Sequence, residues 1–303
     1  MKSLISSFNP GSVAICTITY YPKWYRGTLK SIKHTDKVRG DLALNLIQSA
    51  KDAGYQIIVC DGKSSKSFIR AAKAIPGTKF IQRRTQKRSP GRRKVIKAAS
   101  KIPNVEVIVL TEPEKLSFVK DCIFFVVKSI FEGKADIVIP KRDERLFKET
   151  YPAYQYESEV EGNSLYNENL LAYNLISPDD LDFDMFFGPR VFRNDPKILS
   201  LFMKKYKMKM ENLSLPLEYC DLEEISDALF FPVILALQKK FKVKSVEVPF
   251  SYPALQKENE EKGIKELFLE KRKNQRLALL IELIHFMVYL NKMPKSRLKL
   301  VRK

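Results

Sequence analysis

The chain is short of the residues from which several kinds of active centre are built. Histidine occurs twice in 303 residues, as His34 and His285, which excludes a mechanism resting on several imidazoles. The four cysteines, Cys16, Cys60, Cys122 and Cys220, are widely separated and form no C-x-x-C pair, so neither a zinc site nor a dense disulfide framework is expected. They sit in apolar surroundings, where a free thiol behaves as a small hydrophobe, and a reducing, cytoplasmic compartment fits them best. Long apolar runs are missing too. Asn9-Pro10-Gly11 interrupts the brief apolar patch near the N-terminus before a secretory core could form, and the run from Leu277 to Leu290 is short for a membrane span and broken by Glu282. Negative charge is also scarce: 35 acidic residues face 54 basic ones, a formal net charge of +19. That surplus predicts anionic partners, whether nucleic acid, a membrane surface or phosphorylated small molecules, although solvated lysines serving solubility are the plainer reading. What is present is enough for a core, with 45% hydrophobic residues arranged as one large domain or two modest ones.

The stretch around which the rest is arranged is Val105 to Lys115, VEVIVLTEPEK. Its near-continuous β-branched run reads as a strand covered on both faces, as in the parallel sheets of α/β proteins. It ends in Glu112 and Glu114, at the carboxyl edge where such sheets bind ligands. Two carboxylates there can share a divalent cation with a substrate's phosphates, and two ordinary loop glutamates are the simpler alternative.

Before it, Ser12 to Thr19 is a strand that opens into the aromatic loop Tyr20-Tyr21-Pro22-Lys23-Trp24-Tyr25, suited either to stacking a base or to packing a helix on the sheet. Leu42 to Ala53 has helical spacing and ends at Gly54. Tyr55 to Cys60 is a second strand running into Asp61-Gly62-Lys63-Ser64-Ser65, where Asp61 can bind a ribose or base or simply satisfy its own βα turn. A short helix over Phe68 to Ala74 and a strand over Lys79 to Gln82 lead to a basic run from Arg83 to Lys94. Within it, Ser89-Pro90-Gly91 predicts that Arg92 and Arg93 stand at a helix N-terminus, a favourable place for phosphate. After the central strand come an apolar helix over Leu116 to Glu132 and a buried strand over Ala135 to Pro140. A polar helix over Pro152 to Tyr173 follows, too polar for central core. Beyond the Gly188-Pro189 turn come an acidic segment before the helix Ala228 to Leu237 and a last strand over Val243 to Phe250.

This order of parts resembles family 2 glycosyltransferases of the GT-A fold over roughly residues 12 to 255. The motifs that carry the likeness are Thr17-Ile18-Thr19-Tyr20-Tyr21 after the first strand, Cys60-Asp61-Gly62-Lys63-Ser64-Ser65 after the second, Ser89-Pro90-Gly91-Arg92-Arg93, and Glu112-Pro113-Glu114 where the family has Asp-x-Asp. Looser matches follow in Ala135 to Pro140, in Phe187 to Arg193 and in Val246-Glu247-Val248-Pro249-Phe250. The resemblance implies an α/β fold with a mixed, mostly parallel sheet flanked by helices. It places a GT-A-like domain over residues 1 to 255 and a helical, basic C-terminal extension over 256 to 303. It further implies a nucleotide-diphosphate sugar as donor, held by Thr19, Tyr20, Asp61, Gly62, Arg92, Arg93 and Lys115, and a Mg²⁺ or Mn²⁺ ion at Glu112 and Glu114. Glutamate in place of aspartate, with Pro113 stiffening the turn, alters that cation site, and Lys115 offers a metal-free alternative as a point charge on phosphate. Transfer, expected to be inverting, needs a carboxylate base, which the family places before its last catalytic helix: Asp227, with Asp221, Glu223 and Glu224 as alternatives. The same acids would also complement a helix N-terminus. The rival reading is a catalytically degenerate GT-A-like domain that binds nucleic acid or anionic lipid through its charge, although no specific nucleic acid is expected. Leu277 to Leu290 reads as a core helix or an interfacial one, and with the basic tail from Lys292 to Lys303 it predicts peripheral association with an anionic membrane.

Overall fold

A computed structural model describes residues 9–178, 183–206 and 221–292. The chain begins with β1 (Val13–Thr19), α1 (Thr35–Asp52), β2 (Gln56–Asp61), α2 (Lys66–Ala74), β3 (Thr78–Gln82), α3 (Arg88–Ala99) and β4 (Val107–Leu110). It continues with α4 (Ile123–Phe131), β5 (Ile137–Arg142), α5 (Glu144–Thr150), α6 (Ala153–Ala172), β6 (Arg190–Arg193) and α7 (Pro196–Met203). The last part holds α8 (Ser226–Leu229), α9 (Phe231–Gln238), β7 (Val243–Val248), α10 (Ala254–Glu258) and α11 (Lys265–Lys292). Seven strands form one sheet in the order β3-β2-β1-β4-β6-β5-β7, parallel except where β6 runs against β4 and β5. This is the mixed, mostly parallel sheet between helices that a GT-A-like fold predicts.

The period-two alternation of strand side chains divides the interior into two layers. Val13 and Ile15 of β1, with Val107 and Val109 of β4, pack against Ala43, Leu46, Phe68 and Val126 from α1, α2 and α4. Ala14 and Cys16, with Ile108 and Leu110, face Val95, Ile96 and Ala99 of α3 on the other side. Both faces of the central strands are covered, which is why they read as continuous apolar runs rather than alternating ones. Cys16, Cys60 and Cys122 are free thiols inside these layers, while Cys220 lies outside the described residues.

Three elements differ from expectation. First, α3 starts at Arg88, so Arg92 and Arg93 fall on its second turn rather than at its end, and the backbone N–H of Ser89 is taken by the Glu223 carbonyl at 2.7 Å. Second, the polar helix α6 is well inside the molecule: Gln155, Glu159, Tyr166, Asn167 and Leu170 are buried, and hydrogen bonds replace the apolar packing the sequence lacks. Third, the residues after 255 are no appendage. Leu279, Leu283, Phe286, Met287 and Leu290 of α11 enter the same apolar cluster as β1 and α3. Glu260, fully buried, accepts hydrogen bonds from Tyr252, Gln256 and Arg39, which ties the turn before α11 to α1. The expected boundary at 255 therefore does not separate two cores. Among the described residues, no helix is long and apolar enough to cross a membrane.

Candidate active site

The carboxyl ends of β1 and β4 open into a cleft of about 460 Å³, roofed by the first half of α11. Thr19 and Tyr20 follow β1, Arg83 follows β3, Arg88 and Arg92 come from α3, and Glu112, Pro113, Glu114 and Lys115 follow β4. The aromatic loop divides its labour. Tyr21 and Trp24 are buried against Phe68, with ring centroids 5.0 and 5.7 Å away, whereas Tyr20 is 41% exposed and faces the cleft. Packing a helix and presenting a ring to a ligand are thus both served, by different residues.

Asp61 has a structural duty. It is fully buried at the end of β2; its Oδ1 accepts from the backbone N–H of Lys63 and Ser64, each at 2.9 Å, and its Oδ2 accepts from the Thr19 hydroxyl at 2.9 Å and the Ser64 hydroxyl at 2.5 Å. Four donors from the chain itself satisfy the carboxylate, so it acts on the cleft by fixing Thr19 and the turn, and it does not line the cleft. Gly62 has a related explanation. A Cβ there, or at Gly91, would collide with the guanidinium of Arg83, which lies between the two glycines and donates to the carbonyls of Cys60, Thr85 and Gln86. The glycine makes room for an arginine that sequence reasoning did not single out, rather than for the ligand.

Arg92 and Arg93 part company although they are adjacent. Arg92 lines the cleft and donates to the Glu224 carbonyl at 3.0 Å. Its burial, together with the charge of Arg88, lowers its guanidinium to about 9, the mark of a cation held with too little negative charge around it. Arg93 turns away and forms a buried pair with Asp227 at 2.6 Å, whose other oxygen accepts the Tyr206 backbone N–H at 2.8 Å. Asp227 is therefore enclosed behind the wall and does not line the cleft, which corrects its expected place as the base facing an acceptor. Asp221 pairs with Lys87 at 2.7 Å, away from the cleft lining. Glu224 is the acid of this segment that approaches the cleft cations, 3.6 Å from Arg88, and its charge is felt by Arg92 and Lys271. Glu218 lies outside the described residues.

The two acids after β4 also face different partners. Glu114 accepts the Tyr21 hydroxyl at 2.8 Å. Glu112 lies over Gly188, where any Cβ would collide with its carboxylate, and its Oε2 is buried with no hydrogen-bond partner, 4.0 Å from the Lys115 ammonium. Burial opposes the Glu112 charge, but Lys115 and Arg92 outweigh it and hold the carboxyl below the usual range. Lys115 itself stands over the rings of Phe187 and Phe250, 4.6 and 5.1 Å from their centroids. A divalent ion at Glu112 would sit among the cations Lys115, Arg92 and Arg190, which already offset that carboxylate, while Glu114 lines the same cleft with one oxygen accepting the Tyr21 hydroxyl. No group of three or more His, Cys, Asp or Glu able to hold a metal occurs among the described residues.

Residues distant in sequence complete the walls. Arg142, almost fully buried, makes a two-pronged pair with Asp184 at 2.6 and 2.7 Å and another with Glu159 at 2.6 Å, stacking on Phe147. Glu159 then meets Arg272 of α11 at 3.4 Å. Arg190 donates to the carbonyls of Met185, Phe187, Pro189 and Leu229, fixing the loop that carries Gly188. On α11, Phe268, Lys271, Arg272, Gln275, Arg276 and Leu279 all face the cleft at intervals of three and four residues, one helical stripe. In total the cleft is lined by eight cationic and four carboxylate side chains.

No family model matches the chain, and no curated protein matches it. Solved structures with a similar course of chain include glucosyl-3-phosphoglycerate synthase of M. tuberculosis, 12% identical with 90% of this chain and 80% of that one covered at a TM-score of 0.49. A putative nucleotide-diphospho-sugar transferase from Desulfovibrio desulfuricans G20 is 8% identical, with 88% and 98% covered at 0.43. The 4-diphosphocytidyl-2C-methyl-D-erythritolsynthase of Anaerococcus prevotii is 14% identical, with 87% and 100% covered at 0.43. The likeness to these structures is one of chain course only.

Proposed function

We propose that the chain is a nucleotide-sugar-dependent glycosyltransferase whose donor lies along the carboxyl edge of β1 and β4. The observation that carries this reading is the buried, charge-starved Arg92 beside Arg88, Arg83 and Lys115 in one cleft: a set of cations placed where open α/β sheets bind ligands and suited to a diphosphate. Tyr20 offers its ring to the base. In the reaction, an acceptor hydroxyl oxygen bonds to the anomeric carbon as the bond from that carbon to the diphosphate breaks, the electron pair leaving with the nucleoside diphosphate. The hydroxyl proton passes to a carboxylate, which we assign to Glu224, next in sequence to the lining residue Ile225, with its carboxylate 3.6 Å from the lining Arg88. The cations named take up the charge that develops on the leaving diphosphate. Isothermal titration with nucleoside diphosphates and their sugar conjugates, in EDTA and in Mn²⁺, tests this. Binding in EDTA, weakened at least tenfold in Arg92→Ala, is expected; a panel with no binding nucleotide, or affinity unchanged in Arg92→Ala, rejects it. A membrane-surface role has one observation in its favour, the exposed apolar side chains of Leu277, Ile284 and Val288 on the outer side of α11.

A further inference from the structure

Four residues that line the cleft each carry a buried polar atom without a hydrogen-bond partner among the described residues: the Glu112 Oε2, the Tyr151 hydroxyl, the Gln155 Oε1 and the Arg39 Nε. Hydrogen-bonding groups shut away from water are nearly always partnered, and one left without a partner costs stability. Glu112 faces Lys115 at 4.0 Å and belongs to the end of the cleft proposed for the diphosphate. The other three come together on a neighbouring wall. Tyr151 and Gln155, 1% and 3% exposed, stand where α5 passes into α6. The Tyr151 ring lies against Tyr252, centroids 4.1 Å apart, and the Tyr252 hydroxyl shares the Glu260 carboxylate with Arg39. Lys115 feels the charge of Glu112 and also that of Glu159, which accepts from the Gln155 Nε2 at 2.8 Å, so this wall begins where the cations proposed for the diphosphate end.

Charge is not what this wall offers. Arg142 is taken up by Asp184 and Glu159, Arg272 by Glu159 at 3.4 Å and Arg39 by Glu260 at 2.9 Å, so each of these cations already has a carboxylate. What stays open is an amide oxygen that accepts, a phenol that donates and accepts, and an N–H that donates. Such a set matches sugar hydroxyls, each of which donates one hydrogen bond and accepts others. Resting on the proposed function, we infer that Tyr151 and Gln155, together with Arg39, bind hydroxyl groups of the transferred sugar, and that this sugar is neutral rather than a hexuronate or another acid. A site whose buried polar groups are completed by particular hydroxyls rejects a sugar that lacks them, which makes Tyr151 and Gln155 specificity-determining residues.

Tyr151→Phe is the test, because removing a hydroxyl that has no partner in the protein breaks no bond that holds the fold, and its melting temperature should match the parent's. Isothermal titration reads the ratio of affinities for a nucleotide sugar and for its bare nucleoside diphosphate. For the neutral conjugate that the parent binds best, this ratio should fall about fivefold in Tyr151→Phe, the worth of one neutral hydrogen bond, while the nucleoside diphosphate binds as before. Tyr166→Phe, which removes a buried and unpartnered hydroxyl outside the cleft lining, should change neither. An unchanged ratio in Tyr151→Phe, as ordered water filling the wall would give, overturns the inference. So does a hexuronate conjugate that binds more tightly than every neutral one, or a lowered melting temperature in Tyr151→Phe. Should no nucleotide bind, the proposed function falls, and methyl hexosides then decide the pocket by saturation-transfer NMR: magnetisation reaches the glycoside from the parent and not from Tyr151→Phe, or the pocket takes no sugar.

Discussion

Adjacent residues with the same chemistry can do opposite work, and Arg92 with Arg93 shows how. Arg93 and Asp227 form a buried ion pair, so removing either charge leaves the other stranded in the interior. Asp227→Asn should lower the unfolding free energy by about 3–5 kcal/mol, read from urea denaturation midpoints. Loss of transfer with an unchanged midpoint would instead return Asp227 to the chemistry. Gly188 offers a second case. Its lack of a side chain lets the Glu112 carboxylate lie on the backbone, and Gly188→Ala must push that carboxylate aside. The displaced carboxylate is the tip of a flexible side chain that is 35% exposed, so thermal unfolding should show a loss of no more than about 1 kcal/mol, and donor affinity should rise because Glu112 no longer offsets the Lys115 charge. A variant as stable as the parent and equally able to bind would show that Glu112 moves freely.

At the scale of elements, α11 has two halves with different duties. The first presents cations to the cleft, and the second packs into the core through Leu283, Phe286 and Leu290 while Glu282 is enclosed and accepts a hydrogen bond from Ser226 of α8. Burial raises the Glu282 carboxyl to about 7, against a partial offset from Ser226. Because the folded value exceeds the unfolded one, the folded state binds this proton more tightly, and stability declines as pH rises from about 4.5 to about 7 and stays lowered above it. Glu282→Gln keeps the shape and removes the titration. It should be more stable than the parent at pH 8 by up to about 3 kcal/mol and close to it at pH 4.5. Parallel pH profiles for the two proteins would mean that Glu282 is solvated.

For the whole molecule, the question is whether the C-terminal part can be removed. The core contacts of Leu279, Leu283, Phe286, Met287 and Leu290 on α11 predict that a chain ending at Lys273 does not fold, as judged by circular dichroism and solubility. The basic tail beyond Lys292 lies outside the described residues. A chain ending there keeps every core contact of α11, and co-sedimentation with anionic vesicles should fall when its basic residues are absent. Equal sedimentation of both chains would leave Leu277, Ile284 and Val288, or the cleft itself, as the membrane-binding part.

From the sequence alone came the strands β1, β2 and β4, the loop aromatics, the basic run at α3 and the carboxyl edge of the sheet, where the cleft opens, because apolar periodicity and turn residues are local properties of the chain. The resemblance carried by the ordered motifs added the mixed sheet. Tertiary structure alone decided that Arg92 faces the cleft while Arg93 faces Asp227, that Asp61 is saturated by its own turn, and that Gly62 and Gly188 accommodate Arg83 and Glu112. It alone inserted β6 antiparallel between β4 and β5 and brought α11 over the cleft. The physical reason is common to these: which partner a charged side chain meets, and what a missing Cβ makes room for, depend on residues tens to hundreds of positions away, and no local pattern records them.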